Sequence, residues 1–269
     1  AGYQSTIILP VPDSNKLYYL FHKRIIYTSN PFDVKTDKLY YSIVDMNLNN
    51  GKGKVIVKNI GLMNDYLAYG EMVAVKHANG KDWWLITPKD HSNIFYFFLF
   101  TKNGIVDTIE QTIGTAPPAN ASGGIQIVFS PDGSKMFRTN PQKAVKVYDF
   151  DRESGYFTGY DSIEVDYKNY PDPVTTWCAI SPNGRYLYVT TSQYVFQFDL
   201  LSSNISASQQ VVGVVVDRAR VGVDDHHRGA GPAAQCGQPC GGPDGARGAD
   251  DDQQPAGFDG RFGRRHRAL

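Results

Sequence analysis

Trp83 and Trp84, adjacent in the run Asp82-Trp-Trp-Leu-Ile-Thr87, are the side chains best suited to contact a ligand. Neighbours on a strand point to opposite faces, so one indole is expected in the core and the other at the surface. An exposed indole there would stack on a sugar or a protein partner. His226-His227 and Cys236-Gly-Gln-Pro-Cys240 offer two nitrogen and two sulfur ligands, a count that suits zinc. Their stretch of chain is expected to be unfolded, so no metal or cofactor site is assigned to them. His22, His77 and His91 fall in separate segments and would meet only on a central axis. Asp149, Asp151 and Asp199 each close an apolar run, where calcium ligation competes with the commoner capping of backbone amides, and capping is preferred. There is no Gly-x-Ser-x-Gly elbow, no Gly-x-Gly-x-x-Gly opening a helix and no His-Glu-x-x-His, and Gly51-Lys-Gly53 reads as a turn. Cys178 reads as a small core residue. No catalytic residue is assigned, and the chain is not read as an enzyme.

The elements that carry these side chains are strands. Ile127-Val-Phe-Ser-Pro-Asp-Gly-Ser-Lys-Met-Phe-Arg-Thr139 followed by Ala144-Val-Lys-Val-Tyr-Asp-Phe-Asp151 is answered by Cys178-Ala-Ile-Ser-Pro-Asn-Gly-Arg-Tyr-Leu-Tyr-Val-Thr-Thr191 followed by Tyr194-Val-Phe-Gln-Phe-Asp-Leu200. Asp132 and Asn183 take the same slot. Pro131 and Pro182 preset φ for the turn, and Gly133 and Gly184 accept positive φ. The flanking runs alternate with period two. Divergent copies lie upstream, at Asp82–Thr87 with Asn93–Gly104 and, with a longer connection, at Leu17–Phe21 with Leu39–Asn47. Gly53–Val57 and Ser162–Val165 supply a fourth strand to their repeats. Four strands recurring about every 50 residues, with no amphipathic helix between them, predict an all-β fold, a β-propeller of four-stranded blades of which about four are present.

The chain has 269 residues, with Lys plus Arg and Asp plus Glu both at 27, so no global field recruits nucleic acid or an anionic membrane. No apolar run approaches a membrane span. Ala1 at the start is read as the mark of a removed signal peptide or of a fragment. The composition breaks near Ser208. Every Lys lies at or before Lys168, and every Ile, Tyr, Trp, Asn, Ser, Thr and Met at or before Ser208. From Gln209 to Leu269 almost every residue type has a codon beginning with G or C, the exceptions being Cys236, Cys240, Phe258 and Phe262. Folding selects no such bias, so this segment reads as frame-shifted or foreign sequence. Its apolar content is too low to offset ordering entropy, and residues 209–269 are expected to form a disordered Gly/Arg/Asp/Pro-rich tail after a propeller region 1–208. Val211–Val216 could still pair as a strand.

The wording of the repeats resembles the N-terminal propeller, WD-repeat-like or YVTN-like, of large secreted proteins of gliding bacteria exported by the type-nine pathway. The resemblance rests on Leu39-Tyr-Tyr-Ser-Ile-Val-Asp-Met-Asn-Leu48 with Asn50-Gly-Lys-Gly, on Val73-Ala-Val-Lys-His-Ala-Asn-Gly-Lys-Asp-Trp-Trp84, and on the two Ser-Pro-Asp/Asn-Gly repeats, over about residues 5 to 210. It implies an extracellular or cell-surface location and a non-enzymatic module for binding or display, with an unknown protein or carbohydrate partner. The alternatives are a propeller enzyme of lactonase or quinoprotein type and a purely structural spacer. Such propellers close with about seven blades. Four blades therefore predict an open arc with exposed end faces at Leu17–Asn47 and Tyr186–Leu200, an unpaired edge near Tyr194–Leu200, and self-association through those surfaces.

Overall fold

The computed structural model describes residues 4–29, 32–117, 126–140, 144–166, 177–191 and 193–214, and the backbone of 265–268. The first sixteen of its strands form four antiparallel arrays, each taken from consecutive strands. The first holds β1 (Thr6–Pro10), β2 (Leu17–Ser29), β3 (Phe32–Asp45) and β4 (Lys54–Asn64), and the second β5 (Val73–Lys76), β6 (Trp83–Pro88), β7 (Ile94–Thr101) and β8 (Gly104–Thr112). The third holds β9 (Ile127–Phe129), β10 (Lys135–Asn140), β11 (Ala144–Asp151) and β12 (Tyr156–Glu164), and the fourth β13 (Trp177–Ile180), β14 (Tyr186–Thr190), β15 (Tyr194–Asp199) and β16 (Gln210–Val214). Strand order follows chain order in all four, so hairpins suffice to build each sheet.

The first hairpin of each sheet from the second onward has one geometry. Gly80, Gly133 and Gly184 sit at φ of 72, 73 and 72°, and their amides donate to His77, Ser130 and Ser181 carbonyls at 2.9, 2.8 and 2.8 Å. The side chain between supplies the cap: Asp132 Oδ1 accepts from the Ser134 amide at 3.1 Å, and Asn183 Oδ1 from the Arg185 amide at 3.1 Å. The second sheet thus carries the same turn as the two Ser-Pro copies, written without proline.

Period-two alternation sends one face of every sheet to each neighbour, and three apolar clusters result. Leu9, Phe21 and Leu39 of the first sheet meet Leu85, Phe98 and Phe100 of the second. Trp84, Phe95 and Phe97 meet Met136, Tyr148 and Phe157 of the third. Phe137, Val145 and Ile163 meet Leu187, Phe196 and Phe198 of the fourth, with Cys178 buried among them. Among the described residues no apolar cluster joins the fourth sheet to the first. The fold is an incomplete β-propeller of four blades.

Within the stretches expected to be open, Tyr27 is 60% exposed on the first sheet and Tyr186 and Tyr188 are half-buried on the fourth. The most exposed apolar side chains of those sheets include two outside the expected stretches, Ile8 on β1 at 61% and Trp177 on β13 at 45%. The predicted unpaired edge at Tyr194–Leu200 needs correction: β16 pairs antiparallel with β15, Tyr194 opposite Val214 and Gln197 opposite Gln210. The backbone of Gln210-Val-Val-Gly-Val214 meets the edge whatever the origin of the segment, so the last blade runs past Ser208 to Val214. One further strand, β17 (Arg265–Ala268), lies parallel to β8 with His266 opposite Glu110. The expected disorder of the tail otherwise falls outside the described residues, as do His226, His227, Cys236 and Cys240.

Candidate functional site

Two places bring polar groups of several sheets together. The first is sealed. Arg138, on the face of β10 that Met136 shares, reaches the Glu71 carboxylate just ahead of β5, with Nε to Oε2 at 2.6 Å and Nη2 to Oε1 at 3.2 Å. Their side chains are 5% and 2% exposed. Lys23 of β2 donates from Nζ to the Ala68 and Glu71 carbonyls at 2.8 and 2.7 Å, and Thr87 Oγ1 adds a bond to Glu71 O at 2.8 Å. The connector between the first and second sheets is thereby fastened by side chains of three blades. Burial lowers the Lys23 ammonium to about 7, against the pull of Glu71 and Asp90. Beside this cluster burial pushes the Tyr148 phenol up to about 12, against the pull of the Arg138 guanidinium. Arg138 also lies over the Phe95 ring, 5.6 Å from its centroid.

The second place is open. A groove of about 670 Å³ runs between the third and fourth sheets at the end where the two Ser-Pro turns lie. Phe137, Val147, Ile163 and Leu200 make its floor, and Asp132, Asp149, Asp161 and Lys135 stand along it. Asp149 is ion-paired with Lys135. Asp132 is taken up by Ser130 and Ser134, whose hydroxyls donate to it at 2.6 and 2.8 Å and hold its carboxyl below the usual range. Asp161 accepts the Ser162 amide at 2.7 Å and has no ion pair among the described residues.

The residues singled out in the sequence are dispersed. Trp84 is the core member of its pair, buried between the second and third sheets with its indole donating to the Arg152 carbonyl at 2.9 Å. Trp83 is half-buried, its indole donating to Pro10 O at 3.2 Å and its ring covered by the Lys76 ammonium 3.8 Å from the centroid. His22 stacks on Tyr40, His77 accepts the Asn79 amide at Nδ1, and His91 lies beside Asp90, so the three do not converge. Asp151 caps its turn through the Glu153 and Ser154 amides, and Asp199 accepts the Leu201 amide while pairing with Arg185. Among the described residues no group of three or more His, Cys, Asp or Glu side chains is placed to hold a metal. Lys23 and Arg138 were visible as anomalies: each is a cation on the inward face of its strand, with Tyr19 and Phe21 or with Met136. Glu71 carried no such signal.

No protein-family model matches the chain, and no curated protein matches it. Among solved structures it is similar to a periplasmic gluconolactonase of Pseudomonas aeruginosa, at 16% identity over 80% of this chain and 57% of that one, TM-score 0.42. It is also similar to a luciferin-regenerating enzyme, at 12% identity over 80% of this chain and 76% of that one, TM-score 0.38. A dihydro-heme d1 dehydrogenase is similar at 9% identity over 79% of this chain and 45% of that one, TM-score 0.38. The chain spans 57% of the gluconolactonase's length. These likenesses assign it no activity.

Proposed function

We propose that this chain is a non-enzymatic propeller segment of an exported or cell-surface protein, serving binding or display. The observation that carries this reading is the contrast between its two polar centres. An enzyme of lactonase or quinoprotein type would bring several acidic or His residues together, whereas Lys23, Glu71 and Arg138 are two cations and one carboxylate, sealed and satisfied by one another and by backbone carbonyls. The inter-sheet groove joins an apolar floor to charged walls and is open to solvent, and its size lies within the range of ligand sites, about 300–1,000 Å³. Export is supported by the wording of the repeats alone. The partner is a protein or a carbohydrate, with the half-buried Trp83 a secondary contact and the end faces at Ile8 and Trp177 available for self-association.

The test is a panel of lactones offered to the folded protein with and without added calcium or zinc, beside binding measurements on immobilised glycans and peptides. Binding without turnover is the expected result. Lactone hydrolysis above the buffer rate that disappears on heat denaturation overturns it, and neither binding nor turnover leaves the spacer reading.

A further inference from the structure

The groove between the third and fourth sheets is a vacated version of a filled space between the second and third. Backbone bonds fix the correspondence. His77 N to Asp82 O at 2.9 Å, Ser130 N to Lys135 O at 2.8 Å and Ser181 N to Tyr186 O at 2.8 Å align the three first hairpins. Phe150 N to Ser134 O at 2.7 Å and Leu200 N to Arg185 O at 2.8 Å align the third strands. By this register Phe137 stands where Trp84 stands one sheet earlier, and Ser202 stands where Arg152 does.

Between the second and third sheets the Arg152 side chain plugs the space. Nε donates to Lys76 O at 2.9 Å, Nη2 to His77 O at 3.2 Å and Nη1 to Asp132 O at 2.7 Å, while its own carbonyl accepts from the Trp84 indole at 2.9 Å. A guanidinium satisfies three carbonyls there because its donors lie in a fixed planar fork. Between the third and fourth sheets both fillers are smaller. Phe137 replaces the indole, and Ser202 turns its hydroxyl to the Asn204 carbonyl at 3.1 Å. The counterparts of the three bound carbonyls are those of Phe129, Ser130 and Asn183. Three aspartates and one lysine on the groove give it an excess of negative charge, and among the described residues Asp161 is the one of the three with neither an ion pair nor a hydroxyl bond.

We propose that this groove receives an arginine side chain from a partner peptide. Its guanidinium takes the position that Arg152 holds one sheet earlier, facing the Ser130 and Asn183 carbonyls with Asp161 as counter-charge. A neighbouring apolar side chain of the peptide lies on Phe137, Ile163 and Leu200. This rests on the binding reading above and names its ligand.

The probe is a dye-labelled acetyl-Leu-Arg-Leu-amide peptide, titrated into the full chain by fluorescence anisotropy, beside versions with Lys or citrulline in place of Arg. The arginine peptide should bind at least about tenfold more tightly than either, because lysine lacks the fork and citrulline the charge. Asp161→Asn should weaken it about threefold or more. Ser202→Arg supplies the plug in cis and should abolish binding while raising the melting temperature. Equal affinity for the three peptides, no binding of the arginine peptide, or undiminished binding by a folded Ser202→Arg variant overturns the proposal. Failure here with lactones still untouched leaves the binding reading standing, whereas lactone turnover removes that reading whatever the peptide does.

Discussion

The side-chain amide of Gln111 pairs with both backbone groups of Phe157, Nε2 donating to the Phe157 carbonyl at 2.8 Å and Oε1 accepting the Phe157 amide at 2.8 Å. A glutamine on β8 thus acts as a short piece of strand for β12 of the next sheet. Gln4 does the same for Ile127, and Gln209 for Asp166. An unmade buried hydrogen bond costs about 1–3 kcal/mol. Gln111→Ala should therefore lower stability by about 2–4 kcal/mol in urea denaturation. A loss below about 0.5 kcal/mol would show that the Phe157 groups find other partners.

Gly155 lies at φ 77°, and a Cβ there would meet the Trp84 ring at 2.4 Å. Gly51 lies at φ 80° with nothing within 4 Å of the same added atom. Alanine at either position meets the positive-φ penalty, about 1 kcal/mol. Only at Gly155 must a buried indole move as well, which adds about 1–3 kcal/mol. The two variants should separate by several degrees in melting temperature, and equal losses would mean that Trp84 shifts without resistance.

Removing half of the Glu71–Arg138 pair strands the other half in the interior. Glu71→Gln should cost about 3–5 kcal/mol, the usual penalty for an uncompensated buried charge. Glu71→Gln with Arg138→Met removes that charge and should recover part of the loss. A double variant no more stable than the single one would place the value of Arg138 in its packing on Phe95 instead.

Burial holds the Lys23 amine at about 7, against 10.5 when unfolded. Between those values the unfolded chain carries a proton that the folded chain lacks, so stability rises as pH climbs from about 7 to 10.5, and on acidification the loss is complete by about pH 7. Cys178 and Tyr148 act in the opposite sense. Burial raises both to about 12, so their contribution, present below 9 and 10 respectively, disappears as pH climbs toward 12. Melting temperature should therefore rise from about pH 7, level off between about pH 9 and 10 and fall above that, and Lys23→Met should flatten the rise. A wild-type curve that falls steadily from pH 7 to 9 would contradict the buried amine.

The sheets were legible because their signals are local. Pro131, Gly133, Pro182 and Gly184 mark hairpins that alternating apolar runs then extend. β16 was legible only as an option, since the Val/Gly run Val211–Val216 reads equally as strand or as the start of the tail. The centres were harder because each joins residues distant in sequence. Glu71 and Arg138 lie 67 residues apart, and nothing in either neighbourhood names the other. The groove is harder still, because it arises from what Ser202 and Phe137 lack relative to Arg152 and Trp84. A repeat alignment resolved to single positions was needed, and hydrogen-bond register supplies it.

Each apolar cluster belongs to one pair of neighbouring sheets and shares no side chain with the next. Gripped near Thr6 and Val214 and stretched, such a chain has no single apolar core to fail. Tension would reach the end sheets first and detach them in turn, each rupture leaving the next interface whole. In an optical trap the force–extension curve should show a series of separate drops rather than one, so that the molecule dissipates work in instalments, like stitching that tears one thread at a time.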